Sequence, residues 1–266
     1  MKNPVQNTSA ILRGISASLA AAALCAVGGI AQAATYKGTS VHVGKGSARI
    51  VVQTDKAGKP ASVDVMMTPG ALQGLPTKLN KKTPEGSWIY ALPMPKHGPN
   101  TGYTEVVIDW NPQGHPPPHV YTVPHFDLHF YVIGSAAVKA ISFTGPKDPA
   151  TNVSNAALIP PDYQVVPDTA VNEMGVHAID TTAPEFHGKP FTATFIYGYN
   201  KGQLIFLEPM VTRAFLMTNP DLSLPVKTPA QYSRSGYYPT SYSVKYDKRS
   251  KTYVIALGGL KRWSGK

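Results

Sequence analysis

Along most of this chain, apolar and polar residues alternate in short runs closed by glycine, proline, asparagine or aspartate. A period of two puts successive side chains on opposite faces, so these runs predict half-buried strands. Arg49–Thr54 and Ala61–Met67 flank Asp55-Lys56-Ala57-Gly58-Lys59-Pro60 and predict a hairpin. Thr104–Trp110 predicts a further strand. Phe191–Tyr199 and Gln203–Val211 enclose Asn200-Lys201-Gly202, the clearest hairpin in the sequence. Tyr242–Tyr246 and Thr252–Leu257 make a last one, with Lys248-Arg249-Ser250-Lys251 as its solvated tip. Leu92–Gly102, Asn111–Pro118 and Gly145–Pro167 break the alternation and read as long loops.

The 25 prolines and 23 glycines leave little room for long helices. There is no internal repeat, no heptad run and no sharp break in composition. The expectation is therefore mainly β: a single β-sandwich or barrel-like domain over 34–266, with long Pro-rich loops and few short helices.

One segment departs from this pattern. Lys2 and Arg13 precede an apolar, small-residue stretch from Ile15 to Ile30, which ends in Ala31-Gln32-Ala33. That is the form of a signal peptide, residues 1–33, cleaved after Ala33. Ser16, Ser18, Gly28 and Gly29 interrupt a stretch already short of the roughly 20 apolar residues of a membrane helix, so no membrane span is expected after cleavage. A periplasmic or secreted location follows. Cys25 follows Leu24 inside the apolar stretch, which argues against a lipoprotein, and it is the only cysteine. The mature chain must then be held by its core and not by disulfides.

Losing Lys2 and Arg13 and no acid lowers the formal charge from +10 to +8. Export removes nucleic acid as a partner for that excess and leaves envelope polymers, lipid headgroups or acidic ligands.

Half of the eight histidines fall within residues 114–131, GHPPPHVYTVPHFDLHFY. If Val123–Ile133 is a strand, His125, Asp127, His129 and Tyr131 share one face, and Phe126, Leu128, Phe130 and Val132 the other. Residues four apart in a strand are separated by about 13 Å, so His125 and His129 do not share one ion without a bulge, whereas Asp127 can pair with either. A helix would bring the two histidines together but would be apolar almost all round.

Downstream, His177 lies in Met174-Gly175-Val176-His177, and Glu208 in Leu207-Glu208-Pro209. Setting Tyr199 opposite Gln203 places Glu208 opposite Thr194, on the apolar face of Leu204 and Phe206. A carboxylate there needs a metal, a base such as Arg213, or a proton. His125, Asp127, His129, His177 and Glu208 make a nitrogen/oxygen donor set suited to a divalent zinc, manganese, iron or nickel ion. The competing reading is a set of hydrogen-bonded interior histidines and one buried ion pair. No nucleophile elbow, zinc-protease helix or Cys-x-x-Cys motif is present. Gly44-Lys45-Gly46-Ser47 reads as a turn. Asp109-Trp110 and the tyrosines suggest a sugar-binding surface, against the plainer reading of core packing.

The runs GHPPPHVYTVPHFDLHFY, MGVH and FIYGYNKGQLIFLEPM resemble the TTHB-type family of bacterial proteins, a domain of unknown function. The resemblance implies a β-rich fold and homo-oligomeric assembly, and it points to the same five residues without assigning a reaction. A looser likeness to cupins departs in the spacing of the paired histidines and in the carboxylate following the last one. The leading expectation is an exported metal-site protein that binds or transforms a small ligand. Its rivals are a non-catalytic self-assembling envelope protein with a structural histidine cluster, and a carbohydrate or polyanion binder.

Overall fold

In the computed structural model, residues 1–2 and 32–265 are described, so the expected signal peptide lies almost entirely outside the described residues. The strands are β1 (Thr35–Lys37), β2 (Val41–Val43), β3 (Gly46–Thr54), β4 (Pro60–Met67), β5 (Trp88–Pro93), β6 (Glu105–Asn111), β7 (His125–Tyr131) and β8 (Tyr163–Val171). They continue as β9 (Gly175–Asp180), β10 (Ala193–Asn200), β11 (Gln203–Thr212), β12 (Asp221–Pro225), β13 (Gly236–Tyr238), β14 (Ser241–Asp247), β15 (Thr252–Gly258) and β16 (Lys261–Trp263). The helices are short: α1 (Ser135–Lys139), α2 (Arg213–Leu216) and a few 3-10 turns.

Two seven-stranded antiparallel sheets form. The first runs β1-β3-β4-β15-β14-β12, with β2 also on β3; the second runs β5-β6-β7-β11-β10-β9-β8. Neither closes into a barrel, so the mainly β, sandwich-like expectation holds and the barrel alternative does not. β13 and β16 make a small separate ladder.

The main core brings together the inner faces of both sheets. Ile50, Val52, Val63, Val65, Ile255 and Leu257 come from the first, and Val106, Ile108, Phe126, Leu128, Phe130 and Val211 from the second. Phe126, Leu128 and Phe130 are each 0 % exposed, and burying a side chain of this kind stabilises the fold by about 2 kcal/mol. Trp110 belongs to this core, tilted against Phe126 with ring centroids 4.7 Å apart. Its indole N–H donates to the Pro76 carbonyl and the residue is 4 % exposed, which is the plainer core-packing role.

Two kinds of expectation need correction, the loop bounds and the place of Glu208. Leu92–Pro93 ends β5, Asn111 ends β6, and Tyr163–Pro167 begins β8, so each expected loop gives up an end to a strand. The β10–β11 hairpin pairs Asn200 with Gln203 and Tyr199 with Leu204, then shifts so that Gly198 meets Phe206 and Ile196 meets Glu208. Ile205 is the bulged residue. Glu208 therefore lies opposite Ile196 and not Thr194, and it shares its face with Phe206 and not with Leu204, which stays in the main core.

Candidate metal centre

β7 is the central element of the site. All seven of its residues are buried: Phe126, Leu128 and Phe130 point into the sandwich, and His125, Asp127, His129 and Tyr131 occupy the outer face. The partners on β6 extend that face, with Asn111 opposite His125, Asp109 opposite Asp127 and Val107 opposite His129. On the other side, Leu207 pairs with Phe130 and Met210 with Asp127. That register brings Glu208 level with His129. Pro209 has no N–H, and the β7–β11 ladder is interrupted at this point.

Two apolar patches flank this polar row. At one end Tyr131, Ile133, Val138, Ile141, Ile205 and Phe206 pack together; at the other Tyr121, Phe191, Ile196 and Met210 do so. The polar face is thereby shut off from water.

The five residues expected from sequence fall into two groups. In the first, His129 Nε2 stands 3.5 Å from Glu208 Oε1, and His177 Nε2 stands 3.6 Å from Glu208 Oε2. His177 reaches Glu208 across β10 because the residue paired with it is Gly198. A Cβ at Gly198 would lie 2.0 Å from Phe206 Cζ, so the missing side chain admits the Phe206 ring. That ring stands edge-on to His129 at 4.8 Å and to His177 at 5.4 Å. An irregularity in β8 between Val166 and Val171 turns the Thr169 carbonyl toward His177, and His177 Nδ1 hydrogen-bonds it at 2.8 Å. The Nδ1–H is spent on the backbone, leaving the Nε2 lone pair facing Glu208.

The second group contains His125 and Asp127, together with His115, which sequence reasoning placed in the cluster but not among the ligand candidates. His115 Nε2 is 3.2 Å from Asp127 Oδ2, and His125 Nε2 is 3.1 Å from Asp127 Oδ1. Both imidazoles engage a backbone carbonyl through Nδ1 at 2.7 Å, that of Pro116 for His115 and that of Val123 for His125. Asn111 Nδ2 donates to Asp127 Oδ2 at 2.7 Å and orients the carboxylate. Within each group, the candidate ligand atoms lie within 4.8 Å of one another.

Asp109 lies between the groups, opposite Asp127 and 3.8 Å from His129 Nδ1. Arg213, expected as a possible base for Glu208, donates instead through Nε to the Leu72 carbonyl.

Burial sets the charges in the first group. It pushes the Glu208 carboxyl well above the usual range, with Asp127 and Asp109 adding to the effect. It holds the His129 imidazole down at about 3 and that of His177 at about 4, so both are neutral at pH 7. Asp109 is likewise raised by burial and then by Asp127. In the second group, burial acts against charge on His115 and Asp127, but their pairing outweighs it. His115 is pushed up to about 9, and Asp127, facing His125 and His115, is held well below the usual range.

Buried polar atoms without a hydrogen bond are rare in folded proteins. Among the described residues there are ten such side-chain atoms, and six belong to this face: both ring nitrogens of His129, His125 Nε2, Asp127 Oδ1, Asp109 Oδ1 and Glu208 Oε2.

No curated protein and no solved structure matches the chain. The matching family model covers β4, β5 and most of β6, and stops short of the histidine cluster, Met174–His177 and the β10–β11 hairpin. Over residues 55–110 the chain is similar to the TTHB210-like family, described as hypothetical protein TTHB210, and the resemblance to a TTHB-type domain of unknown function stands on that segment.

Proposed function

We propose that this is an exported protein that holds a divalent transition-metal ion at His129, His177 and Glu208, and binds or transforms a small ligand there. The observation that carries this reading is the spacing of the donors. Two ligands on one tetrahedral ion at 2.0–2.2 Å stand about 3.3–3.6 Å apart, which matches the 3.5 and 3.6 Å between the histidine Nε2 atoms and the Glu208 oxygens. A proton shared between Glu208 and either imidazole would draw the pair to about 2.7–3.2 Å.

The protonation states support the same reading. Neutral imidazoles and a carboxylate are what a divalent cation requires, and its charge would reverse the preference of buried Glu208 for its proton. The backbone carbonyl on His177 Nδ1 is the usual outer partner of a metal-binding imidazole. Zinc, manganese, iron and nickel all suit these donors.

The test is metal analysis of untagged protein alongside Glu208→Gln, which keeps the shape and removes the charge. The variant is expected to lose one ion per chain while its circular dichroism stays that of the parent. An unchanged ion content in correctly folded Glu208→Gln would rule the reading out.

A further inference from the structure

Beyond that buried position, we propose that His115, His125 and Asp127 form a second divalent-cation position, opening onto a pocket from which a small Lewis-basic ligand reaches the ion. Nothing in this proposal depends on the first position being filled.

The three donors converge. Both imidazoles turn Nε2 onto the two oxygens of one carboxylate, with their ring centroids 4.7 Å apart. Each ring is locked by a carbonyl on Nδ1, and the carboxylate by Asn111. A purely structural triad would leave its members satisfied. Here His125 Nε2 and Asp127 Oδ1 are fully enclosed and lack a well-directed hydrogen bond although 3.1 Å apart; His115 Nε2 does bond Asp127 Oδ2, at 3.2 Å, and an ion taken up here displaces the proton of that bond. Two atoms that approach without bonding geometry, both aimed into the same gap, describe a place for a third body.

The second position also adjoins an open pocket. His125 and Asp127 are closed in, with side chains 0 % and 6 % exposed, but the His115 side chain is 18 % exposed. It lines a pocket of about 440 Å³ with Leu79, Glu85, Gln113 and Thr122. Three protein ligands beside an open volume are the arrangement in which a metal keeps one coordination position for water or an exogenous ligand. The half-buried Glu85 lines the same pocket as His115 and places a second carboxylate at its mouth. His115 and Asp127 are joined through the Asn111–Gly114 turn and β7, so the pocket and the strand face meet at one side chain.

Along β7, residues two apart are separated by about 6.6 Å, so Asp127 and His129 serve neighbouring positions and not one shared ion. The inference is therefore of two sites.

The experiment uses the full protein, stripped with a chelator, dialysed and titrated with cobalt(II), whose visible absorption reports coordination. The parent is expected to take up two equivalents, His115→Ala one, His177→Ala one and the double variant none. Azide is expected to change the spectrum of the ion remaining in His177→Ala and not that of the ion remaining in His115→Ala. Uptake by His115→Ala equal to the parent, with unaltered circular dichroism, overturns the second position whatever His177→Ala does. Loss in His115→Ala with no change in His177→Ala instead supports the second position and removes the first. Azide acting only on the ion that depends on His177 overturns the assignment of the open pocket. If His115→Ala is unstable, His115→Gln supplies the same comparison.

Discussion

The two sheets of the sandwich share strand number and antiparallel pairing, yet they treat their outer faces in opposite ways. On the first sheet the outer positions of β3, β4 and β14 include Arg49, Gln53, Ser62, Ser243 and Lys245, all partly or wholly exposed. Alternation there has its ordinary meaning, apolar inward and polar to water. On the second sheet the outer positions of β7 are as polar, His125, Asp127 and His129, but all are buried. A polar face under water needs no internal partner; a polar face under protein does. The same period-two pattern can thus describe a solvated surface or a concealed site, and what separates them is whether other segments cover the face. Tyr121 and Phe191 at one end, and Val138 and Ile141 near α1 at the other, supply that cover.

The largest expected effect comes from removing metal. If ions satisfy the second sheet's orphaned atoms, their binding energy is part of the folding energy. At a free-ion concentration about 1,000 times Kd, chelation is expected to cost about 4 kcal/mol. A denaturant titration with and without chelator measures this. The comparison breaks if the two curves coincide, because the buried face would then be stable by itself.

Gly198→Ala comes next. The new methyl group meets the Phe206 ring, held between His129 and His177 in a packed layer, and overpacking of this kind costs about 3 kcal/mol. The matched change on the first sheet is Gly58→Ala in the β3–β4 turn, where φ is +76° and a Cβ would meet nothing within 4 Å. Only backbone strain of about 1 kcal/mol is expected there. Thermal melts of the two variants compare crowding with strain, and equal losses would mean that the ring moves freely out of the way.

The parts legible in the sequence were those where periodicity and facing agree. The β7 alternation assigned Phe126, Leu128 and Phe130 to the core and His125, Asp127 and His129 to the other face, as found. The hairpin register was not legible. The bulge at Ile205 shifts every later pair by one, and nothing in a run of apolar residues marks the extra one. β5 and β8 read in part as loops because they are the edge strands of the second sheet, where Pro93 and Pro167 are tolerated without breaking a ladder on both sides. His115 lies in a Pro-rich loop, and without a period its direction could not be read. Asp109 and Asn111 escaped notice as members of the site because Asp109 was read with Trp110, its neighbour on the opposite face, and Asn111 as the start of a loop.

The smallest expected effect, opposite in sign, concerns the one buried acid on the first sheet's outer face. Asp64 is 1 % exposed and faces Val51 and Ala256 across the ladders; its Oδ2 accepts from Gln53 Nε2 at 2.5 Å, while Oδ1 has no partner. Burial raises its carboxyl above the usual range, against the hydrogen bonds from Gln53 and Ser62. With the folded-state value raised, folding binds a proton. The stability tied to Asp64 is fully present below the unfolded-state value of 3.8 and is lost as pH rises through the folded-state value. Asp64→Asn removes the charge and keeps an acceptor for Gln53, so its melting temperature is expected to exceed the parent's at pH 7, with the gain disappearing near pH 3. No chelator dependence is expected in that difference, since a lone acid has no donors to share an ion with. A gain that persists undiminished at pH 3 would mean that packing, and not the isolated charge, distinguishes the variant, and the contrast between one stranded carboxylate and a partnered row would lose its electrostatic basis.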